Sequence, residues 1–156
     1  GDPVLSRSLA VLEAFQRFKG KMSQLLDPLV QAEGLTPLQA MVLLLLAQAQ
    51  DEITVGTLSE QTHMGQANTS TLCKKLERGG FLVRSRSLRD ERIVTLNLTE
   101  QGRRTLDRVE GRISHYFELL DRLPPSVGED IRRGARAVEY AMDYLQNQIE
   151  GEQSQC

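Results

Sequence analysis

Gln66-Ala67-Asn68-Thr69-Ser70-Thr71-Leu72-Cys73-Lys74-Lys75-Leu76-Glu77-Arg78-Gly79-Gly80-Phe81-Leu82-Val83-Arg84 is the stretch that decides the fold. Steps of three and four place Thr69, Leu72/Cys73 and Leu76 on one side of a helix, and Gly79-Gly80 stops it. The spacing predicts a helix over Gln66 to Arg78. Its outward residues are then Gln66, Ala67, Asn68, Ser70, Thr71, Lys74, Lys75 and Arg78, with polar groups first and cations last. Amides can pair with an adenine edge, hydroxyls serve base or phosphate, and Lys and Arg suit phosphates. A rod with that order of side chains is shaped to read duplex DNA.

Downstream, Phe81 to Arg84 and Ile93 to Leu98 carry β-branched and aromatic residues in approximate alternation, with polar and charged residues between them. They predict a hairpin with a charged tip. Arg84, Arg86, Arg89 and Arg92 lie there against Asp90 and Glu91. A charged tip can be merely solvated, but behind a helix of polar readers the phosphate or minor-groove reading is the better one. Upstream, Thr57-Leu58-Ser59-Glu60 reads as a capping box opening a helix of about two turns before Gly65. Ile53-Thr54-Val55 reads as a short strand, and Asp51-Glu52 end the preceding helix. That helix starts at Thr36-Pro37-Leu38-Gln39, runs through Gln50, and is apolar enough to be buried on most sides. Two short helices followed by a hairpin form the layout of a winged helix-turn-helix, whose second helix fits the major groove while the hairpin reaches sideways.

Long helices flank this unit. Leu5, Leu9, Leu12, Phe15, Phe18, Met22, Leu25 and Leu29 form one apolar stripe, with Asp27-Pro28 expected to kink or restart the helix. Thr99 can cap a helix running to Leu123, where Pro124-Pro125 break it. A last helix, from about Gly128 to Ile149, carries Ile131, Ala135, Val138, Met142 and Leu145 on one face. The fold class is mainly α with a small β-hairpin (α+β): a winged helix-turn-helix with long N- and C-terminal dimerisation helices. Residues 1–35 form the first of these, 36–99 the DNA-binding lobe and 100–156 the C-terminal dimerisation helices, in one structural domain. The terminal stripes supply more apolar surface than a small winged helix covers, and a two-fold homodimer would bury it. Recognition helices would then lie about 34 Å apart, matching a palindromic operator.

The composition fits a soluble globular chain: 156 residues, 40% hydrophobic, net charge −2. That small net charge hides its distribution. Lys74 to Arg108 holds ten basic and five acidic residues, a local +5 that leaves −7 for the remainder. The longest apolar run, Ala40 to Ala47, is far shorter than the roughly 20 residues of a membrane-spanning helix. No secretory signal is read in the opening Gly-Asp-Pro, and Cys73 and Cys156 suggest neither a disulfide framework nor a zinc site, so a reducing cytoplasm is expected.

The motifs Leu76-Glu77-Arg78-Gly79-Gly80-Phe81-Leu82-Val83-Arg84 and Asp90-Glu91-Arg92-Ile93-Val94-Thr95-Leu96-Asn97-Leu98-Thr99-Glu100-Gln101-Gly102 resemble the MarR family of bacterial transcription regulators. The shared pattern is a recognition helix ending at Gly, a strand, a wing with Asp-x-Arg, and a strand ending Leu-Thr-x-x-Gly. Gly34-Leu35-Thr36 and the apolar second helix extend it. The resemblance implies a homodimeric winged-helix regulator, most often a repressor, on palindromic operator DNA and released by a small effector. It also implies that Asp90 holds Arg92 at the wing, that Arg92 and Arg89 contact DNA, and that the outward face of 66–78 reads the major groove. Gly102 stands where a capping box would have Glu or Gln, although the glycine itself matches the family.

Other residues give weaker signals. Cys73 lies on the inward phase, as a small buried hydrophobe would, and peroxide sensors related to the family usually carry their cysteine in the first helix, where Met22 is the only sulfur; a cysteine-based redox regulator is therefore the lesser reading. His63 and His115 lack partners at metal spacing, so no metal is expected. Phe15, Phe18, Met22, His115 and Tyr116 could line a pocket for a small aromatic or phenolic effector, or could simply be packing. No nucleophile with a base, phosphate loop or paired carboxylates has supporting context, so neither catalysis nor a cofactor is expected. The competing non-enzymatic reading is a winged-helix protein-interaction module whose basic face meets an acidic partner.

Overall fold

The computed structural model describes residues 1–155; Cys156 lies outside the described residues. The chain falls into two compact units, 1–113 and 114–155, and the division lies inside a helix.

In the first unit, α1 spans Pro3–Gln31. Asp2 caps it, its carboxylate accepting the Val4 amide at 2.9 Å, and Pro3 occupies the first turn, where a missing N–H costs nothing. The helix continues through Pro28 without restarting, which corrects one of the two outcomes expected there. It ends in a turn at Gly34 (φ 74°), where the Leu35 amide reaches back to the Val30 carbonyl. Helix α2 spans Pro37–Gln48 behind a complete capping box: Thr36 Oγ1 accepts the Gln39 amide, and Gln39 returns a carboxamide oxygen to the Thr36 amide. Ala40, Val42 and Leu43 are buried and Leu44, Leu45, Leu46 and Ala47 pack half-buried against the same core, while Leu38 and Met41 are the more exposed, so the helix is covered on most of its sides.

Two local expectations need correction. Ile53-Thr54-Val55 is not a strand: only Ile53 pairs, through a single bridge to Leu96, and Thr54 already caps α3 (Val55–Thr62). The cap therefore lies three residues before Thr57, whose amide is the one that Thr54 Oγ1 accepts, at 3.1 Å. A β-branched triplet has strand propensity, but a threonine hydroxyl aimed at the third following amide satisfies a helix terminus and wins locally. Helix α3 ends at His63 in the left-handed region (φ 57°).

Helix α4 occupies Gln66–Arg78, the span expected from its periodicity, and buries Thr69, Cys73 and Leu76, with Leu72 half-buried. The chain reverses at Gly80 (φ 82°), where the Phe81 amide bonds the Leu76 carbonyl at 2.9 Å. Strand β1 (Leu82–Arg86) then pairs antiparallel with β2 (Val94–Leu98), Arg84 opposite Leu96. Thr99 closes the hairpin and opens α5 (Glu100–Phe117), its hydroxyl donating to the Gly80 carbonyl and accepting the Gly102 amide. Gly102 is required here for space, because a Cβ would collide with the Phe81 carbonyl oxygen.

The core of this unit gathers Val30, Leu35, Val42, Leu43, Leu58, Leu76, Leu82, Leu96, Leu106 and Val109 around α2. Glu33 accepts from Arg108 at 3.1 Å and Arg112 at 2.7 Å, fastening the end of α1 to α5. Burial pushes the Glu33 carboxyl upward, but the two guanidinium groups outweigh it and hold it below its ordinary value.

The second unit takes in the end of α5, a 3₁₀ turn and α6. The α-helix stops at Phe117, and Glu118–Arg122 tighten into the 3₁₀ turn, so the α-helix expected to reach Leu123 ends six residues early. Helix α6 is longer than expected, Pro125–Gln153, and buries no residue.

Candidate nucleic-acid interface

The polar face of α4 follows directly from its buried face. With Thr69, Cys73 and Leu76 turned into the core, Gln66, Ala67, Asn68, Thr71, Lys74, Lys75 and Arg78 are exposed and Ser70 is half-buried. Thr71 returns its hydroxyl to the Ala67 carbonyl at 3.0 Å. Gly65, the N-cap, gives the helix no side-chain cap, so its leading amides are left for water or an incoming acceptor.

The wing arginines differ among themselves. Arg84 is not at the tip: it lies on β1, half-buried, with Nε 3.6 Å from Glu77 of α4 and a buried Nη2 that has no hydrogen-bond partner. Arg86 reaches the Glu91 carbonyl at 3.4 Å. Arg89 pairs with Asp51 at 3.3 Å and remains mostly exposed. Arg92 is 89% exposed, and Asp90 grips it through both carboxylate oxygens, accepting Nε at 3.0 Å and Nη2 at 2.9 Å while also taking the Arg92 amide. This fork fixes the guanidinium plane as a single hydrogen bond would not. It holds the Asp90 carboxyl below its usual range and raises Arg92 further.

Three features were not singled out from sequence. Glu52 accepts the Ser87 hydroxyl at 2.6 Å and the Leu88 amide at 2.9 Å, bonds that keep its carboxyl ionised to lower pH than usual. Sequence offered only an acidic pair closing α2, with its partners 35 and 36 residues away. The Glu33 pair with Arg108 and Arg112 is equally non-local. The third is a cleft of about 190 Å³ in the first unit, lined by Leu26, Val30, Ala40, Leu44, Leu106 and Val109 among others, with Glu110 its one charged lining residue.

Phe15, Phe18, Met22, His115 and Tyr116 do not line that cleft. The first three lie on α1 in the first unit, with Phe18 63% exposed; the other two lie in the second, their rings edge-to-face at 5.2 Å. Cys73 is buried, and burial pushes its thiol up, away from the reactive thiolate form. Among the described residues no cluster of His, Cys, Asp and Glu could hold a metal ion, and no helix is long and apolar enough to cross a membrane.

A helix held on its apolar side, a glycine turn and a hairpin wing together define a winged helix-turn-helix protein. Residues 33–93 match the model of the MarR family. Through this winged-helix lobe the chain is similar to the MarR family. It is 38% identical over 90 residues to the exopolysaccharide II synthesis transcriptional activator ExpG of Rhizobium meliloti, covering 58% of this chain and 45% of that protein. It is 33% identical over 82 residues to the organic hydroperoxide resistance transcriptional regulator of Bacillus subtilis, covering 53% and 55%. The chain thus spans about half the length of these curated relatives. Among solved structures it is similar to the transcriptional repressor CouR bound to a 23-mer DNA duplex, with a TM-score of 0.70, 28% identity and coverage of 83% of this chain and 89% of that one.

Proposed function

We propose that the protein is a DNA-binding transcription regulator that lays α4 in the major groove and sets Arg92 and Arg89 of the wing against the neighbouring backbone or minor groove. The observation that carries this reading is the bidentate Asp90 grip on an otherwise exposed Arg92, beside a helix whose whole outer face is amide, hydroxyl and cation. Holding an arginine rigid at a solvent-exposed tip contributes little to folding, because exposed ion pairs are worth roughly 0–1 kcal/mol. It makes sense for recognition, where a pre-set guanidinium loses less freedom on contact. The likeness to CouR, itself solved on a duplex, supports the same reading. Arg84, turned toward Glu77, serves the joint between α4 and β1 rather than the duplex.

The protein acts as a homodimer through the exposed stripes of α1 and α6, on a palindromic operator, and as a repressor. A small effector releases it. The 190 Å³ cleft is the place for that effector, since an apolar cavity of about 150 Å³ takes one benzene ring. With Glu110 in the lining, a neutral phenol suits it better than an aromatic carboxylate.

An electrophoretic shift with upstream DNA, repeated at several salt concentrations, tests the reading. Arg92→Ala should weaken binding on every sequence and flatten the salt slope by about 1. Asn68→Ala should relax preference at one base pair by about 1–3 kcal/mol. Unchanged affinity in Arg92→Ala would remove the wing from the interface.

A further inference from the structure

The segment between α2 and α3 holds the wing through one carboxylate. Glu52 Oε2 accepts the Ser87 hydroxyl at 2.6 Å, and Oε1 accepts the Leu88 amide at 2.9 Å. The same Ser87 oxygen accepts the Arg89 amide at 3.1 Å and the Asp90 amide at 3.2 Å. Asp90 then grips Arg92. A relay of hydrogen bonds therefore runs from Glu52 through Ser87 and Asp90 to the wing guanidinium. Asp51 adds the Arg89 pair, and the Ile53 carbonyl accepts the Leu96 amide at 2.8 Å, so three consecutive residues engage the hairpin.

Within the hairpin the Ser87 amide reaches the Ile93 carbonyl at 2.8 Å and the Ile93 amide the Asp90 carbonyl at 2.9 Å, but these bonds do not tie the tip to the rest of the lobe. Leu88 is 98% exposed and Ile93 and Val94 are 43% and 38% exposed, so little apolar packing anchors this end of the hairpin. A two-stranded ribbon is marginal by itself, and an unpacked tip would sample many conformations, each paid for on binding. Charge-assisted hydrogen bonds are about twice as strong as neutral ones, and these two converge on the buried Ser87 and the adjoining amide.

We propose that Glu52 is the positioning residue of the wing, its carboxylate holding residues 87–90 so that Arg89 and Arg92 meet DNA already in place. The inference rests on the DNA-binding reading above. It makes the loop after α2 a determinant of operator affinity although that loop itself touches no nucleotide.

The test compares Glu52→Ala and Glu52→Gln with the wild type in two measurements on the whole chain. In the free protein, Glu52→Ala should speed amide hydrogen exchange at Leu88, Arg89 and Asp90 by about tenfold while the amides of α4 keep their rates. On DNA, Glu52→Ala should weaken binding about fivefold in an otherwise wild-type or Asn68→Ala background, but less than about twofold in an Arg92→Ala background, where the Arg92 contact is already gone and only Arg89 is left to misplace. Glu52→Gln, which keeps one oxygen for the Leu88 amide but loses the charge and the acceptor for the Ser87 hydroxyl, should recover only part of both effects. Unchanged exchange at 88–90, or a loss that simply adds to that of Arg92→Ala, overturns the proposal. A wild type that shifts no duplex overturns the DNA reading and this role with it, and the two failures are told apart because faster exchange would still reveal the clamp.

Discussion

Helices α4 and α6 obey the same amphipathic rule and meet different ends. On α4 the apolar phase, Thr69, Cys73 and Leu76, is fully buried against its own lobe. On α6, Ile131, Val138, Met142 and Leu145 repeat at helical spacing, yet each is at least 39% exposed. Helix α1 repeats the contrast within one element, with Val30 buried near its end while Leu5, Leu9 and Leu12 remain open. Periodicity specifies a stripe but not the surface that covers it. For α4 that surface is local in the fold; for α6 and the first part of α1 we propose a second copy.

The largest effect should come from charging the open stripe. Ile131→Glu combined with Leu145→Glu removes four apolar side chains across a two-fold interface, a loss of roughly 6 kcal/mol or more. Sedimentation at micromolar concentration should then change from dimer to monomer while urea unfolding of the winged-helix lobe stays cooperative. A dimer that survives would place the interface elsewhere and dissolve the contrast.

Within the lobe, Gly102→Ala should be the most damaging single methyl, costing about 3 kcal/mol in urea unfolding, because its Cβ would press on the Phe81 carbonyl and backbone does not yield as a side chain does. Gly111, on the same helix with open space around it, is the control, and Gly111→Ala should be neutral or slightly stabilising. Equal effects at the two positions would mean that the hairpin is not wedged against α5.

Smaller again is the cap of α3. Thr54→Ala should cost about 1 kcal/mol and Thr57→Ala clearly less, since Thr54 supplies the hydroxyl and Thr57 the amide. The reverse order, measured by the same unfolding curves, would restore the cap to Thr57.

The smallest effect is a pH dependence. Glu33 is held below its ordinary value by Arg112 and Arg108 against the upward push of burial. Its contribution to stability is therefore complete above the ordinary carboxylate range and is lost as pH falls through the depressed folded value. Thermal unfolding followed from neutral pH downward should show Glu33→Gln less stable than the wild type near neutrality, with the two curves converging in acid. Parallel curves would show that the fastening of α1 to α5 is not ionic.

Much of this was legible beforehand. The bounds of α4, its inward residues, the capping box at Thr36 and Gln39 and the hairpin pairing are local patterns, set within a few residues by period, hydroxyl caps and glycine. The corrections were local competitions as well: at Thr54 a helix cap overrode strand propensity, and at Pro28 the helix did not restart but ran on to Gln31. At the candidate site, the outer face of α4 was readable because it is the complement of its buried phase. The standing of the wing arginines was not. Arg84 lies 3.6 Å from Glu77, and the Glu52 carboxylate reaches Ser87 across 35 positions of chain.

Sequence alone determined the elements, their order and the chemistry of the exposed helix face, because torsional preference, apolar period and capping act between near neighbours. Only the tertiary structure decided which carboxylates pair with the wing arginines and where an apolar cleft opens. Those depend on groups distant in the chain being brought within about 3 Å, a distance at which a hydrogen bond forms and beyond which it rapidly ceases to count.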